Sequence, residues 1–371
     1  MTRQVPSLNA MRLLMTVDAI GGVWRYAMDL ATGLRDLGAE TLFVCLGPRP
    51  TADKREEAER IGRLILLDAP LDWLARDKTQ VTAVPEMLAE LGRQERVDLL
   101  HLNLPSQAAN IATDIPVVTV SHSCVVTWFA GVRGTPVPTD WRWQQELNRS
   151  GFDHSDAVVS PSFSHAAMLE KAYGPVSRLC VVHNGSRLEN VLTEKRDVVF
   201  AAGRWWDDGK NGAVLDEAAR SVRWPVLMAG ATDGPNGQHR TIHHASHRGE
   251  LPHEQTMRLM HEAKIVASPS LYEPFGLAPL EAARAGAALV LSDIPTYREI
   301  WEGCACFADP RDPLDFAAGI NRLAEDSDLR AALAVKAYTR SLQFTVEAQA
   351  QAMANIYAGL CSPDKTLSAA E

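Results

Sequence analysis

With 371 residues, 46% of them apolar and 22% charged, the chain is too long for one ordinary core and has a globular composition that suits two α/β domains. Its formal net charge of −9 gives no global electrostatic pull toward nucleic acid or anionic lipid. No apolar run approaches the roughly 20 residues that span a bilayer, the polar start Met1–Ala10 lacks the apolar middle of a secretion signal, and six scattered cysteines without a CxxC pair read as reduced core thiols of a cytoplasmic protein.

The first strand-length apolar run is Arg12–Val17. Others follow at Thr41–Leu46, Leu64–Leu67, Asp98–Leu102, Val117–Ser121, Ala157–Ser160 and Cys180–Val182. They are continuous rather than alternating, which predicts strands covered on both faces. Helix-period segments lie between them. The clearest, Val23–Leu37, sets Ala27, Leu30, Ala31, Leu34 and Leu37 on one face and stops at Gly38. Gly21 and Gly22 stand between the first strand and this helix. Paired glycines let backbone approach a phosphate closely, although alone they equally suit a tight turn. His101 and His122 stand at strand ends, where doubly wound sheets bind ligands, while a lone histidine is more often structural. The stretch Val125–Phe152 carries Trp128, Phe129, Trp141, Trp143 and Phe152 with Arg133, Arg142 and Arg149 interleaved. Aromatic faces of this kind can stack on ring-shaped ligands and arginines can grip phosphate, or the stretch is equally a packing helix with core aromatics. Trp141 and Trp143 are two apart and cannot share a helix face, so one is expected at the surface. Ser160–Ser164 reads as a helix start, with Ser162 or Ser164 as the cap.

Ser186–Asp197 is charged and turn-rich and reads as a linker. The pattern then restarts, with strands at Val198–Ala202, Pro225–Ala229, Ile265–Ser268, Ala288–Leu291 and Cys306–Ala308. Helices are expected around Val214–Arg220, His253–Glu262, Pro279–Ala285 and Pro313–Glu325. Two strand–helix series imply two parallel sheets, with chemistry at the C-terminal ends of the strands.

The densest chemistry lies in Ser270–Gly286, where Glu273 precedes a helix and Glu281 lies inside it, with seven residues between them. Backbone amides near Phe275, Gly276 and Leu277 open that helix and attract anions and hydroxyl-rich ligands. After the first strand of this half come Arg204 and Lys210, two cations at a strand end where doubly wound folds bind ligands. Asp207-Asp208 lacks a metal-binding context. His239, His243, His244 and His247 lack the spacing of a zinc protease and read as a polar loop, so no metal is expected.

The segment EPFGLAPLE, Glu273–Glu281, resembles the E-x7-E element of retaining, nucleotide-sugar-dependent glycosyltransferases of the GT-B fold, family 4, and the run His247–Pro295 resembles that family's most characteristic block. The resemblance implies an α/β fold of two Rossmann-like, doubly wound domains facing across a cleft. The N-terminal acceptor-side domain takes residues 1–190, with a helix at about 345–371 packing back on it, and the donor domain takes residues 191–344. It implies that Arg204 and Lys210 contact the donor diphosphate, from a loop one residue longer than the commonest form. Gly21 and Gly22 face a phosphate. Glu281 binds ribose, and Glu273 with the Phe275–Leu277 amides holds sugar hydroxyls. Backbone near Arg248, Gly249, Glu250 and Leu251 meets the nucleobase. His122 lies close to the transferred sugar as an orienting group, and His101 with Trp128, Trp141 and Trp143 lies on the acceptor side. Front-face displacement without a covalent intermediate or cofactor is expected, on an unidentified glycan, lipid-linked or small-molecule acceptor. Cytoplasmic location is expected, with peripheral contact at the inner membrane face left open. The rival readings are a nucleotide-sugar epimerase or phosphorylase of similar fold, and a non-catalytic nucleotide-sugar binder. A dinucleotide dehydrogenase is disfavoured because G-x-G-x-x-G is missing.

Overall fold

A computed structural model gives the fold and describes Leu8, residues 10–188 and residues 193–361. Residues 1–7 and 9 of the polar start, residues 189–192 at the expected domain boundary and residues 362–371 of the expected terminal helix lie outside the described residues. The chain divides into two units: Met1–Ala130, Thr135–Gly185 and Val346–Glu371 form the first, and Gly131–Gly134 with Ser186–Thr345 the second.

Unit one contains β1 (Arg12–Asp18), α1 (Gly22–Asp36), β2 (Glu40–Leu46), α2 (Ala52–Ile61), β3 (Arg63–Leu66), α3 (Val84–Gln94), β4 (Leu99–Leu102), β5 (Val117–Val120), α4 (Val125–Trp128), α5 (Arg142–Asp153), β6 (Ala157–Ser160), α6 (Phe163–Tyr173) and β7 (Leu179–Val181). Its sheet is wholly parallel in the order β3-β2-β1-β4-β5-β6-β7. The continuous apolar runs are explained by cover on both faces. Leu13, Met15 and Val17 of β1 enter the core beside α1, while Leu14 enters the core on the other face with Leu88, Leu100 and Leu147. The order reverses between β1 and β4, so the loops after β1, β4 and β5 gather at a switch point. Ser162 caps α6, its hydroxyl accepting from the His165 amide at 3.0 Å. Such a cap contributes about 1 kcal/mol.

Unit two contains β8 (Arg196–Ala202), α7 (Gly212–Ala218), β9 (Val226–Ala229), β10 (Ser246–His247), α8 (His253–Glu262), β11 (Ala263–Ser268), α9 (Leu277–Arg284), β12 (Ala288–Ser292), α10 (Pro295–Trp301), β13 (Cys306–Ala308), α11 (Pro313–Glu325) and α12 (Ser327–Ser341). Its parallel order is β10-β9-β8-β11-β12-β13, with the reversal between β8 and β11. β10 covers only Ser246–His247, just ahead of the backbone at Arg248–Leu251. Gly249 takes φ +71°, a left-handed conformation that ends an extended run.

The last described helix, α13 (Val346–Cys361), returns to unit one. Its Ala350, Met353, Ala354 and Tyr357 pack with Ala27, Leu30, Ala31 and Leu34 of α1. Among the described residues, no helix is long and apolar enough to cross a membrane.

Candidate functional site

In unit two the loops after β8 and β11 flank the switch point, and backbone stitches them together. Leu271 N–H donates to the Gly209 carbonyl at 2.9 Å, and Asn211 Nδ2 donates to the Pro269 and Pro310 carbonyls at 2.9 and 2.6 Å. Trp205, 2% exposed, anchors the first loop in the core. These ties bring Lys210 and Glu273 together, Nζ to Oε2 at 2.5 Å, with side chains only 24% and 14% exposed. Arg204 lies over the Trp206 ring, 5.4 Å from its centroid, and 3.5 Å from Asp207. Its side chain remains partly open to solvent. Both aspartates of the loop are engaged: Asp207 accepts from Gly209 N–H at 2.8 Å, and Asp208 pairs with Arg240 at 2.8 Å.

The Glu-Pro-Phe-Gly turn ends at Gly276, whose φ of +96° makes it the start of α9 without a capping side chain. A Cβ here would lie 2.8 Å from the ring of Tyr297. The glycine therefore serves both backbone conformation and close packing. Leu277 opens the helix, and its first amides have no side-chain cap to satisfy them. Phe275 is core, at 3% exposure, and Glu281 is buried at 8%. The Tyr297 hydroxyl meets Ser268 Oγ at 2.6 Å. Burial, with the charge of Glu273, pushes that phenol well above its ordinary value.

Gly249, Glu250 and Leu251 follow β10. Gly249 accepts the Gly230 amide at 2.8 Å, and Leu251 with Arg248 lines an open cavity of about 560 Å³ beside α8. The histidine loop is held by Asp216, whose carboxylate accepts the amides of His243, His244 and Ala245. Among the described residues, no cluster of His, Cys, Asp or Glu is arranged to hold a metal ion.

In unit one Asp18, at the end of β1, accepts the amides of Ile20 and Gly21 at 3.0 and 3.2 Å. The Gly21 amide is therefore occupied by a carboxylate, and Gly22 begins α1. His122 is partly buried against Tyr26, their rings edge to face at 4.2 Å. His101, placed on the acceptor side by the resemblance, is fully buried. Joining them is Asn103, which sequence reasoning missed. Its Oδ1 lies 3.1 Å from His101 Nε2 and 2.8 Å from His122 Nε2. Its only sequence signal is its place two residues beyond His101, at the same strand end. Burial lowers His101 to about 4, and burial with the neighbouring His101 and His165 lowers His122 to about 3, so both rings are neutral at pH 7.

Trp128, Phe129 and Trp141 form an edge-to-face series with centroids 5.2 and 6.1 Å apart. Trp141 is 39% exposed, whereas Trp143 packs on the core containing Leu88 and Leu147. Phe152 is fully buried, and Arg149 is committed to Asp153 and to the Tyr173 and Pro175 carbonyls. These two thus serve packing, and the open aromatic surface narrows to Trp141 and its neighbours.

Residues 20–190 match the model of Glycosyltransferase Family 4, and residues 232–340 match that of Glycosyl transferases group 1. The chain is 31% identical to the D-inositol 3-phosphate glycosyltransferase of Corynebacterium urealyticum, over 93% of this chain and 92% of that protein. Among solved structures, sucrose-phosphate synthase from Thermosynechococcus elongatus superposes with a TM-score of 0.77 at 18% identity, covering 94% of this chain and 99% of the other. Anabaena HepE in complex with UDP and glucose gives 0.73 at 18% identity, covering 94% and 100%.

Proposed function

The chain belongs to glycosyltransferase family 4 and has the GT-B fold; from that premise we infer that it moves a glycosyl unit from a nucleoside diphosphate sugar to a hydroxyl acceptor with retention at the anomeric carbon. The observation that carries this reading is the meeting of Lys210 and Glu273 at the switch point of unit two, with Arg204 on the same loop. A diphosphate entering there competes with Glu273 for the Lys210 ammonium and frees the carboxylate to accept sugar hydroxyls. Arg204 and Lys210 then face charge that grows as the bond from anomeric carbon to phosphate oxygen breaks. Cations so placed stabilise the transition state more than the bound donor. The N-terminal amides of α9 add a fixed positive end, Glu281 holds ribose, and Gly249–Leu251 meets the base.

The bonding pair leaves with the phosphate oxygen, the acceptor oxygen bonds the same face of the anomeric carbon, and its proton passes to the departing phosphate. No metal enters this scheme, because Asp207 and Asp208 are already engaged by a loop amide and by Arg240. In unit one this reading gives His122 a sugar hydroxyl, the Gly22 amide at the start of α1 a phosphate oxygen, and the surface of Trp128 and Trp141 the acceptor.

UDP-glucose is the first donor to test, given the ligands of HepE. A thermal-shift panel of UDP-, GDP- and ADP-sugars tests the reading, since a donor at 100 times its Kd adds about 2.7 kcal/mol to the folded state. One nucleotide class is expected to raise Tm in the native protein and to lose that effect in Arg204→Ala. A panel without any shift contradicts the donor site.

A further inference from the structure

We propose that Asn103 is a positioning residue that fixes His122 as an acceptor of hydrogen bonds, through a buried chain of contacts running from Thr16 to the last helix. The argument begins with the amide of Asn103, which has one available orientation. Its Nδ2 donates to the Thr16 carbonyl at 2.6 Å, and its backbone N–H donates to Thr16 Oγ1 at 2.8 Å. Thr16 Oγ1 in turn donates to Gln107 Oε1 at 2.7 Å. Turning the amide over would set its oxygen against a carbonyl oxygen, with no proton between them. Thr16, Asn103 and Gln107 are at most 4% exposed, so water offers no alternative partner.

The Asn103 oxygen therefore faces the two histidines, and an oxygen there only accepts. Both imidazoles must carry their proton on Nε2. His101 then presents a bare Nδ1, which receives the hydroxyl of Tyr357 at 2.6 Å. His101 is thus satisfied at both nitrogens, one by a residue of β4's own loop and one by α13. His122 is satisfied only at Nε2. Its ring is partly exposed, and among the described residues its Nδ1 has no hydrogen-bond partner.

A neutral imidazole held in this tautomer offers a lone pair and no proton at Nδ1. It accepts from a hydroxyl and repels a carboxylate or phosphate oxygen, which would meet it lone pair to lone pair. The group facing His122 is therefore a hydroxyl, a consequence that rests on the reading that unit one meets a sugar there. The chain of contacts also gives α13 a part in the site, because Tyr357 occupies the one remaining position on His101.

The test is the ¹⁵N spectrum of the imidazoles in the full chain labelled at histidine, with signals assigned by single His→Gln variants. The wild type is expected to show His122 protonated at Nε2 and bare at Nδ1 from pH 6 to pH 8. Asn103→Leu is expected to release the ring into a mixture of tautomers. Tyr357→Phe disturbs the same cluster but leaves Asn103 in place, so it should keep the wild-type pattern at His122. A proton on Nδ1 in the wild type, or an unchanged tautomer in Asn103→Leu, overturns the proposal. Should Asn103→Leu fail to fold, the wild-type spectrum alone decides. The underlying site reading is judged separately, by UDP release from UDP-glucose: His122→Ala should slow it about tenfold. Unimpaired release in that variant removes the sugar from His122 while leaving the tautomer result intact.

Discussion

Replacing Lys210 with methionine separates the two tasks the site reading gives to that residue. Its ammonium lies 2.5 Å from Glu273 Oε2, and the pair is 24% and 14% exposed. A charge-assisted hydrogen bond at this depth contributes about 1.5–3 kcal/mol, and its loss leaves Glu273 without its nearest cation. Stability of unit two should fall by about 2 kcal/mol. Adding Glu273→Gln removes the orphaned charge, so the double variant should recover most of that loss, with a coupling energy of about 1.5 kcal/mol. Turnover should behave differently. Lys210→Met removes a cation aimed at the leaving diphosphate, and kcat/KM should fall at least about tenfold, or about 1.4 kcal/mol of transition-state stabilisation. The double variant restores no cation and should remain slow. Denaturant titration gives the stabilities, and initial rates of nucleoside diphosphate release give kcat/KM. Near-native kcat/KM in Lys210→Met, or a double variant that regains both stability and rate, refutes the reasoning.

Three further outcomes follow from the same geometry. His101 and His165 are fully buried with values lowered from 6.5 to about 4, so the unfolded chain binds protons that the folded chain refuses. Stability is complete above about pH 6.5 and declines as pH falls toward 4, by about 2 kcal/mol per histidine at pH 5; equal urea midpoints at pH 8 and pH 5 would contradict this. Trp141→Ala should raise acceptor KM severalfold and leave donor KM unchanged, whereas Trp143→Ala should lower Tm by removing core packing; steady-state kinetics beside melting curves distinguish the two, and a shift in donor KM alone counts against the acceptor surface. Turnover should survive EDTA, and a loss reversed by Mg²⁺ or Mn²⁺ would show that the charge scheme omits a metal.

The sheets were legible because their information is local. A strand covered on both faces is largely apolar along its length, so Val117–Val120 and Ala157–Ser160 announce themselves without any neighbour. The two-residue β10 carries no such signal: Ser246 and His247 are polar and exposed, and the left-handed backbone at Gly249 ends the extended run. The charged loops of unit two were readable because strand ends flanking a switch point converge, which is how Lys210 and Glu273, 63 residues apart, come to touch. The Asn103 network was not readable. It depends on β1 and β4 pairing in one register, Leu13 to Leu99, so that Thr16 reaches Asn103, and on α13 delivering Tyr357 to a histidine 256 positions away. Neither is encoded in local periodicity. For the same reason the strand-end position of His101 did not reveal that its side chain is fully buried.

The most direct test of the account is to follow UDP-, GDP- and ADP-sugars by proton NMR with the wild-type protein and water as the sole acceptor. One donor should be converted slowly to nucleoside diphosphate and free sugar, with the sugar appearing first in the donor's own anomeric configuration, before mutarotation, and Arg204→Ala should abolish the conversion. Appearance of the opposite anomer first, epimerisation of the sugar while it stays attached to its nucleotide, or a panel of donors left wholly intact would contradict retaining glycosyl transfer at this site.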